Sequence, residues 1–258
     1  FLEMNDNEIN PTEVVATLIN QKPSLSAGIR YAQTKIDGSM SMLVATKKGI
    51  YCGRDLMGRT PIIIGEKEDG SLAAAFESHA YLNLGYHTIR ELKPGEVIFI
   101  SHEEGMIEKI PAYHKKQVCS FLWTYYGYPT ATYEGVNVED SRYKCGAMLA
   151  KADKEDKELN LKLDSVGGIP DSGLAAAIGY ANESKIPYTR PFIKYTPTWA
   201  RSFMPTIQSK RKHIAKMKLL SVEDLIKGNR MVLIDDSIVR GTQLKETVEY
   251  LYDAGAKA

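Results

Sequence analysis

The residues with the clearest chemical potential lie together near the end of the chain: Met231, Val232, Leu233, Ile234, Asp235, Asp236, Ser237, Ile238, Val239, Arg240, Gly241 and Thr242. Here an apolar run gives way to what reads as a helix start. In an open parallel sheet, ligands bind at the carboxyl ends of the strands, so this is a natural place for a site. Two adjacent carboxylates can hold the vicinal hydroxyls of a ribose or share a divalent cation. The loop that follows is short, contains Gly241 and runs into a helix N-terminus. Its backbone N–H groups, with the hydroxyls of Ser237 and Thr242, can cradle a phosphate. An Asp-Asp pair at a strand end is by itself commonly a helix cap. The whole segment together points to a sugar bound with its 5′-phosphate.

A second feature agrees. From Lys185 to Ser221 there is no Asp or Glu, while Lys185, Arg190, Lys194, Arg201 and several further Lys and Arg residues fall there. Such a stretch reads as a solvated basic loop, a nucleic-acid patch or a cover for a phosphorylated substrate. Beside the Asp235–Asp236 loop the last reading is favoured, since basic groups there neutralise leaving-group charge and exclude water. Pro191, Pro197 and Pro205 argue against a long helix in this stretch.

These groups need elements to hold them. Asn10 followed by Pro11, with Glu13 three residues after the cap and then Val14, Val15 and Leu18, predicts a helix over 11–20. A second helix is predicted over 24–36. Residues 39–46 and 49–52 alternate as a hairpin about Lys47, Lys48 and Gly49, and 61–64, 72–76 and 96–100 read as short strands. Beyond His114 the pattern changes. An aromatic stretch over 119–126 precedes a helix over 141–151 and a charged surface stretch over 151–163. A strand over 164–169 ends in Gly167, Gly168, Ile169, Pro170, Asp171, Ser172 and Gly173. A helix follows over 174–184, then a helical turn over 223–226. Residues 231–234 have the uninterrupted apolar character of a parallel strand buried on both faces, and 243–254 form an amphipathic helix ending at Gly255. The alternation of strands and helices predicts a doubly wound sheet.

The segment from Asp235 to Thr242 resembles the phosphoribosyl pyrophosphate signature of type I phosphoribosyltransferases. Gly168 to Gly173 resembles the pyrophosphate loop of the glutamine phosphoribosylpyrophosphate amidotransferase family. Lys194-Tyr195, the run Arg201 to Pro205, and Gln208 resemble that family's active-site loop. Arg54, Asp55, Gly58, Arg59 and Pro61, then Phe76, Glu77 and Ser78, and Leu92 to Glu96 resemble its glutaminase domain. The matches run in family order along essentially the whole chain and cover about the middle half of a family member.

The resemblance implies an α/β fold: a partial N-terminal-nucleophile hydrolase sandwich (α+β), followed by a type I phosphoribosyltransferase domain with a doubly wound, mostly parallel sheet. The implied boundaries are residues 1–115 for a glutaminase domain lacking its nucleophile and 116–258 for a truncated transferase domain. The implied reaction forms 5-phosphoribosylamine from phosphoribosyl pyrophosphate and glutamine-derived ammonia, the first committed step of purine synthesis. Other readings are a base phosphoribosyltransferase and a phosphoribosyl pyrophosphate-sensing regulator. The implied metal is Mg2+, on Ser172, Asp235 and Asp236. Substrate contacts fall on Asp171, Ser172, Gly173, Asp235, Asp236, Ser237, Ile238, Val239, Arg240, Gly241 and Thr242. Lys194, Tyr195 and Arg201 are the implied catalytic residues on the pyrophosphate side. The implied partners are ammonia or glutamine, purine nucleotide inhibitors and further copies of the chain in a homo-oligomer, in the cytoplasm.

The sequence departs from the family in places. Phe1 stands first instead of a nucleophilic cysteine, so no glutamine hydrolysis is expected of this chain alone. The family Asp that helps hold glutamine aligns at Pro11, and Asp6 is the alternative. Gly127, Tyr128, Pro129, Thr130 and Ala131 stand where Arg-Pro-Asp-Ser is usual. Some members carry an iron–sulfur cluster on four cysteines. Cys119 matches the first ligand position and is the sole candidate here, with a structural role as the default reading.

Composition sets outer bounds. The chain has 258 residues, 43% of them hydrophobic and 25% charged, with 33 Lys and Arg against 32 Asp and Glu, a net charge of +1. That balance gives no case for nucleic acid or an acidic membrane as partner. No apolar run approaches the length of about 20 residues that a membrane helix needs. Cys52, Cys119 and Cys145 are odd in number and widely spaced, so no zinc spacing or disulfide framework can be drawn.

Overall fold

The computed structural model describes residues 10–156, 162–194 and 219–258. They form two units. The first comprises the chain up to Leu122 together with Tyr126–Val138, and the second Trp123–Tyr125 together with Glu139–Ala258. The stretch 126–138, which an expected boundary at 115 gives to the second half, therefore packs with the first.

In the first unit, helix α1 (Pro11–Ile19) starts as expected, with Asn10 accepting from the Thr12 N–H and Pro11 at the first position. Helix α2 (Leu25–Lys35) is capped by Ser24. Gly28 lets the two approach, since a Cβ there would lie 2.3 Å from the Ile19 carbonyl oxygen. The strands are β1 (Met42–Thr46), β2 (Gly49–Gly53), β3 (Ile63–Glu66), β4 (Leu72–Ala75), β5 (His87–Glu91), β6 (Val97–Ser101), β7 (Gly105–Ile110), β8 (Thr132–Tyr133) and β9 (Val136–Asn137). One antiparallel sheet has the order β1-β2-β6-β7 and another the order β4-β3-β5, while β8 and β9 make a separate small hairpin. The expected hairpin is present, although its first strand begins at Met42 instead of Ser39.

Strand alternation sorts the first sheet's side chains into two cores. Ile50, Cys52, Ile98 and Ile100 meet Ile62, Ile64, Leu72, Ala74 and Leu92 of the second sheet's region. Tyr51, Val97, Met42 and Val44 point the other way, toward Ile19, Ile29 and Ala32 of the helices. The layers are therefore helices, sheet and sheet. Strands β5 and β7 have no counterpart in the sequence expectation. Both lie at sheet edges, where one side of the strand is unpaired and few apolar positions are needed.

In the second unit, helix α3 (Val138–Glu155) is longer than the expected 141–151, with Glu139 and Asp140 in its first turn, where they suit the helix dipole. Strands β10 (Ser165–Gly168), β11 (Tyr188–Thr189) and β14 (Met231–Ile234) form a parallel sheet in the order β11-β10-β14. Strands β12 (Phe192–Lys194) and β13 (Leu219–Ser221) pair antiparallel. Helices α4 (Leu174–Ser184) and α5 (Thr242–Asp253) complete the unit, with a helical turn at Glu223–Ile226. Val232 and Ile234 of β14 join the core with Val166, Ala150, Ala177 and Tyr180. Met231 and Leu233 of the same strand join Phe192, Ile226 and Leu251. Both faces of β14 are thus covered, which is why its sequence carries no polar alternation. Helix α3 lies close on α4: Cβ atoms at Gly146 and Gly179 would lie 1.8 Å from the Ala176 carbonyl oxygen and 2.0 Å from that of Tyr143.

Candidate functional site

Two loops leave the carboxyl ends of neighbouring parallel strands, since Gly168 at the end of β10 is in register with Ile234 at the end of β14. The first loop, 169–173, is held flat against β14. The Ile169 N–H donates to the Ile234 carbonyl at 2.9 Å. Gly173 packs so closely that a Cβ would sit 2.0 Å from that same carbonyl oxygen. Only glycine fits there. The Pro170–Asp171 peptide is cis.

The two loops are joined side chain to side chain. The Ser172 hydroxyl donates to Asp235 Oδ1 at 2.7 Å, and the Asp236 N–H donates to the same oxygen at 2.9 Å. Burial raises the Asp236 carboxyl above its ordinary value, and the neighbouring Asp235 charge adds to this. The Ser237 hydroxyl and Arg142 act in the opposite sense. A pair of carboxylates that repel one another this way gains from a cation or from hydroxyl donors. Arg142 was not singled out by the sequence. It sits on α3, with its guanidinium donating to the carbonyls of Trp123 at 2.9 Å and Tyr125 at 3.1 Å. No spacing rule links it to Asp236, so only the fold reveals it.

Past Asp236 the chain turns tightly. Ile238 and Val239 project into solvent, 71% and 81% exposed, so neither serves the core. Val239 has φ 51°, a left-handed conformation that a β-branched residue seldom adopts, with a cost on the order of 1–3 kcal/mol. Strain of this kind persists where the loop's shape is needed. The Gly241 N–H donates to the Ile238 carbonyl at 2.8 Å, and Gly241, with φ 69°, turns the chain into α5 at Thr242. The first-turn amides of α5 therefore open onto this loop.

On the other side, the Lys194 ammonium at the end of β12 donates to Asp171 Oδ2 at 2.8 Å. The structure thus gathers Asp171, Ser172, Gly173, Lys194, Asp235 and Asp236 about one end of the parallel sheet, with Ser237 to Thr242 as the following loop. Tyr195 and Arg201 lie outside the described residues.

The motifs of the first unit are spent on structure. Arg54 is buried and donates to the carbonyls of Leu92, Thr60 and Gly58 and to Glu134 Oε1 at 2.9 Å. Asp55 accepts from the Arg59 and Thr60 N–H groups at 3.0 and 3.1 Å. Glu96 accepts from Arg90 and from the Lys93 N–H. Glu77 pairs with His79 at 2.7 Å. Cys119 belongs to a turn, its N–H donating to the Arg59 carbonyl. The three cysteines form no disulfide. Among the described residues no helix is long and apolar enough to cross a membrane.

No family model matches the chain. It is 33% identical over 250 residues to the amidophosphoribosyltransferase of Archaeoglobus fulgidus, covering 95% of this chain and 53% of that protein. To the amidophosphoribosyltransferase of Bacillus subtilis it is 34% identical over 247 residues, covering 95% and 50%. Among solved structures it is similar to glutamine phosphoribosylpyrophosphate amidotransferase from B. subtilis complexed with ADP and GMP. The TM-score is 0.82 at 33% identity, covering 98% of this chain and 55% of the other. A structure described as the allosteric regulatory enzyme of purine biosynthesis gives a TM-score of 0.81, with 98% and 54% covered. The chain spans about half the length of the relatives it matches.

Proposed function

We infer that this chain, a relative of the amidophosphoribosyltransferases over 95% of its length, carries the phosphoribosyl-transfer site of such an enzyme. Its reaction displaces pyrophosphate from phosphoribosyl pyrophosphate by ammonia, giving 5-phosphoribosylamine, the entry to purine synthesis. The carrying observation is the Ser172–Asp235 hydrogen bond, which ties a glycine-closed anion loop to a strand-end carboxylate pair. In this reading the first unit is part of a glutaminase sandwich of the N-terminal-nucleophile type, and the second is a type I phosphoribosyltransferase fold.

Each residue then has a task. Asp235 and Asp236 accept hydrogen bonds from the ribose hydroxyls. The amides from Ser237 to Thr242 hold the 5′-phosphate, and the strained turn at Val239 keeps them convergent. Lys194 lies on the pyrophosphate side, with Tyr195 and Arg201 after it, and offsets the charge that builds on the leaving group. No strong general base is required, because ammonia is already a nucleophile. The donor set fits Mg2+, which is held by one or two carboxylates and substrate oxygens and retains waters. Among the described residues no three His, Cys, Asp or Glu side chains form a cage of their own. Ser172, Asp235 and Asp236 would hold the ion, which would supply charge to the pyrophosphate and ribose oxygens. A cytoplasmic homo-oligomer inhibited by purine nucleotides completes the reading. The ADP and GMP in the similar B. subtilis structure support the inhibitor class. A structural role is assigned to Cys119.

The test is consumption of phosphoribosyl pyrophosphate by the chain with magnesium and ammonia. Turnover supports the reading. Magnesium-dependent binding without turnover means an incomplete site or a sensor. A folded chain that does not bind sinks the site.

A further inference from the structure

We propose that Asp171 is a positioning residue for Lys194, competing with the substrate's phosphate oxygens for its ammonium, and does not itself hold the substrate. This rests on the transferase reading above. Asp171 stands in the anion loop beside Ser172 and Gly173, so the sequence naturally counts it with them as a substrate contact. Its chemistry opposes that role. An ionised carboxylate only accepts hydrogen bonds, and so do ionised phosphate oxygens; side by side they repel. What Asp171 does touch is Lys194, at 2.8 Å.

The two polar side chains of this loop are thus engaged in different directions: Ser172 toward Asp235 and Asp171 toward Lys194. The Lys194–Asp171 pair is well solvated, with the side chains 48% and 63% exposed, and exposed pairs of this kind add little to stability. Its consequence is therefore one of placement and charge. Lys194 carries its ammonium on a flexible stem, and the carboxylate fixes that charge on the loop. The same carboxylate must be displaced before phosphate oxygens can take the ammonium. The acid keeps Lys194 over the loop and yields it only to a more highly charged acceptor.

Inorganic pyrophosphate is the probe, titrated calorimetrically into the chain at low ionic strength without magnesium. Asp171→Asn keeps the size and removes the charge. It is expected to bind pyrophosphate about three- to tenfold more tightly than the unaltered chain, the gain shrinking as salt is added. Asp171→Glu restores the competing charge and returns the affinity toward the original. In a Lys194→Gln background the gain from Asp171→Asn shrinks to what direct repulsion alone gives, well below the gain with Lys194 present. Weaker or unchanged binding in Asp171→Asn overturns the proposal, as does an equally large gain without Lys194, which would mean repulsion alone. If the unaltered chain binds neither pyrophosphate nor phosphoribosyl pyrophosphate, the transferase reading itself fails. If it binds them and only the variants disagree, the failure belongs to Asp171 alone.

Discussion

The Arg54 cluster of the first unit and the Asp235–Asp236 loop of the second both remove charge from water, and they resolve the cost in opposite ways. Arg54 is 2% exposed, and its guanidinium faces Glu134, Glu91 at 3.3 Å and three backbone carbonyls. Burial opposes ionisation of Glu134, but hydrogen bonds from Lys116 and Arg54 hold its carboxyl below the ordinary value. Glu91 is raised, mainly by burial. The cluster is internally paired, and it fixes the turn at Glu134, where φ is 52°. The Asp235–Asp236 pair has like charges adjacent, a serine hydroxyl on one of them, and a strained exposed loop beyond. Paired charge is architecture, whereas repelling charge at a strand end is relieved by an oppositely charged or hydrogen-bond-donating group.

That contrast can be broken from either side. The largest effect is expected from Arg54→Met. Two carboxylates would remain without their buried partner, costing about 3 kcal/mol or more, read as a lowered urea midpoint. Asp235→Asn should leave the urea midpoint nearly unchanged. It should weaken magnesium-dependent binding of phosphoribosyl pyrophosphate about ten- to a hundredfold, the range for charged hydrogen bonds. If Asp235→Asn unfolds the chain instead, the pair is structural and the comparison fails.

The smallest effects concern pH. Asp236 has a raised carboxyl in the folded chain, so the folded state holds its proton longer than the unfolded one. Stability therefore falls as pH rises from about 3.8, the ordinary value, through the raised one. Asp164 has the opposite sign. Hydrogen bonds from Arg230 hold its carboxyl well below the ordinary range, so its contribution is present above that range and lost as pH falls. Thermal melts across acid pH should show Asp236→Asn removing the first slope and Asp164→Asn the second. The reverse assignment would refute the electrostatic account of both positions.

Much of this was legible in the residues. Asn10 and Pro11 mark a helix start because cap chemistry is local. Residues 231–234 announce a doubly buried strand because every position is apolar, and the turn from Asp235 into the helix at Thr242 is marked by Gly241. The edge strands β5 and β7 left little trace, since half of each faces water and carries polar side chains. Asp171 shows the limit most clearly. The family resemblance implies a substrate contact for it, and nothing in the sequence pairs it with Lys194, 23 residues away. Ser172 meets Asp235 across 63 residues, and Arg142 acts on Asp236 from another helix. Sequence determined which groups exist and where the local turns fall, because caps, alternation and glycine turns depend on neighbours within a few residues. Tertiary structure alone decided which charges pair and which repel, because that depends on strand order and on distances of a few ångströms between segments the chain itself keeps far apart.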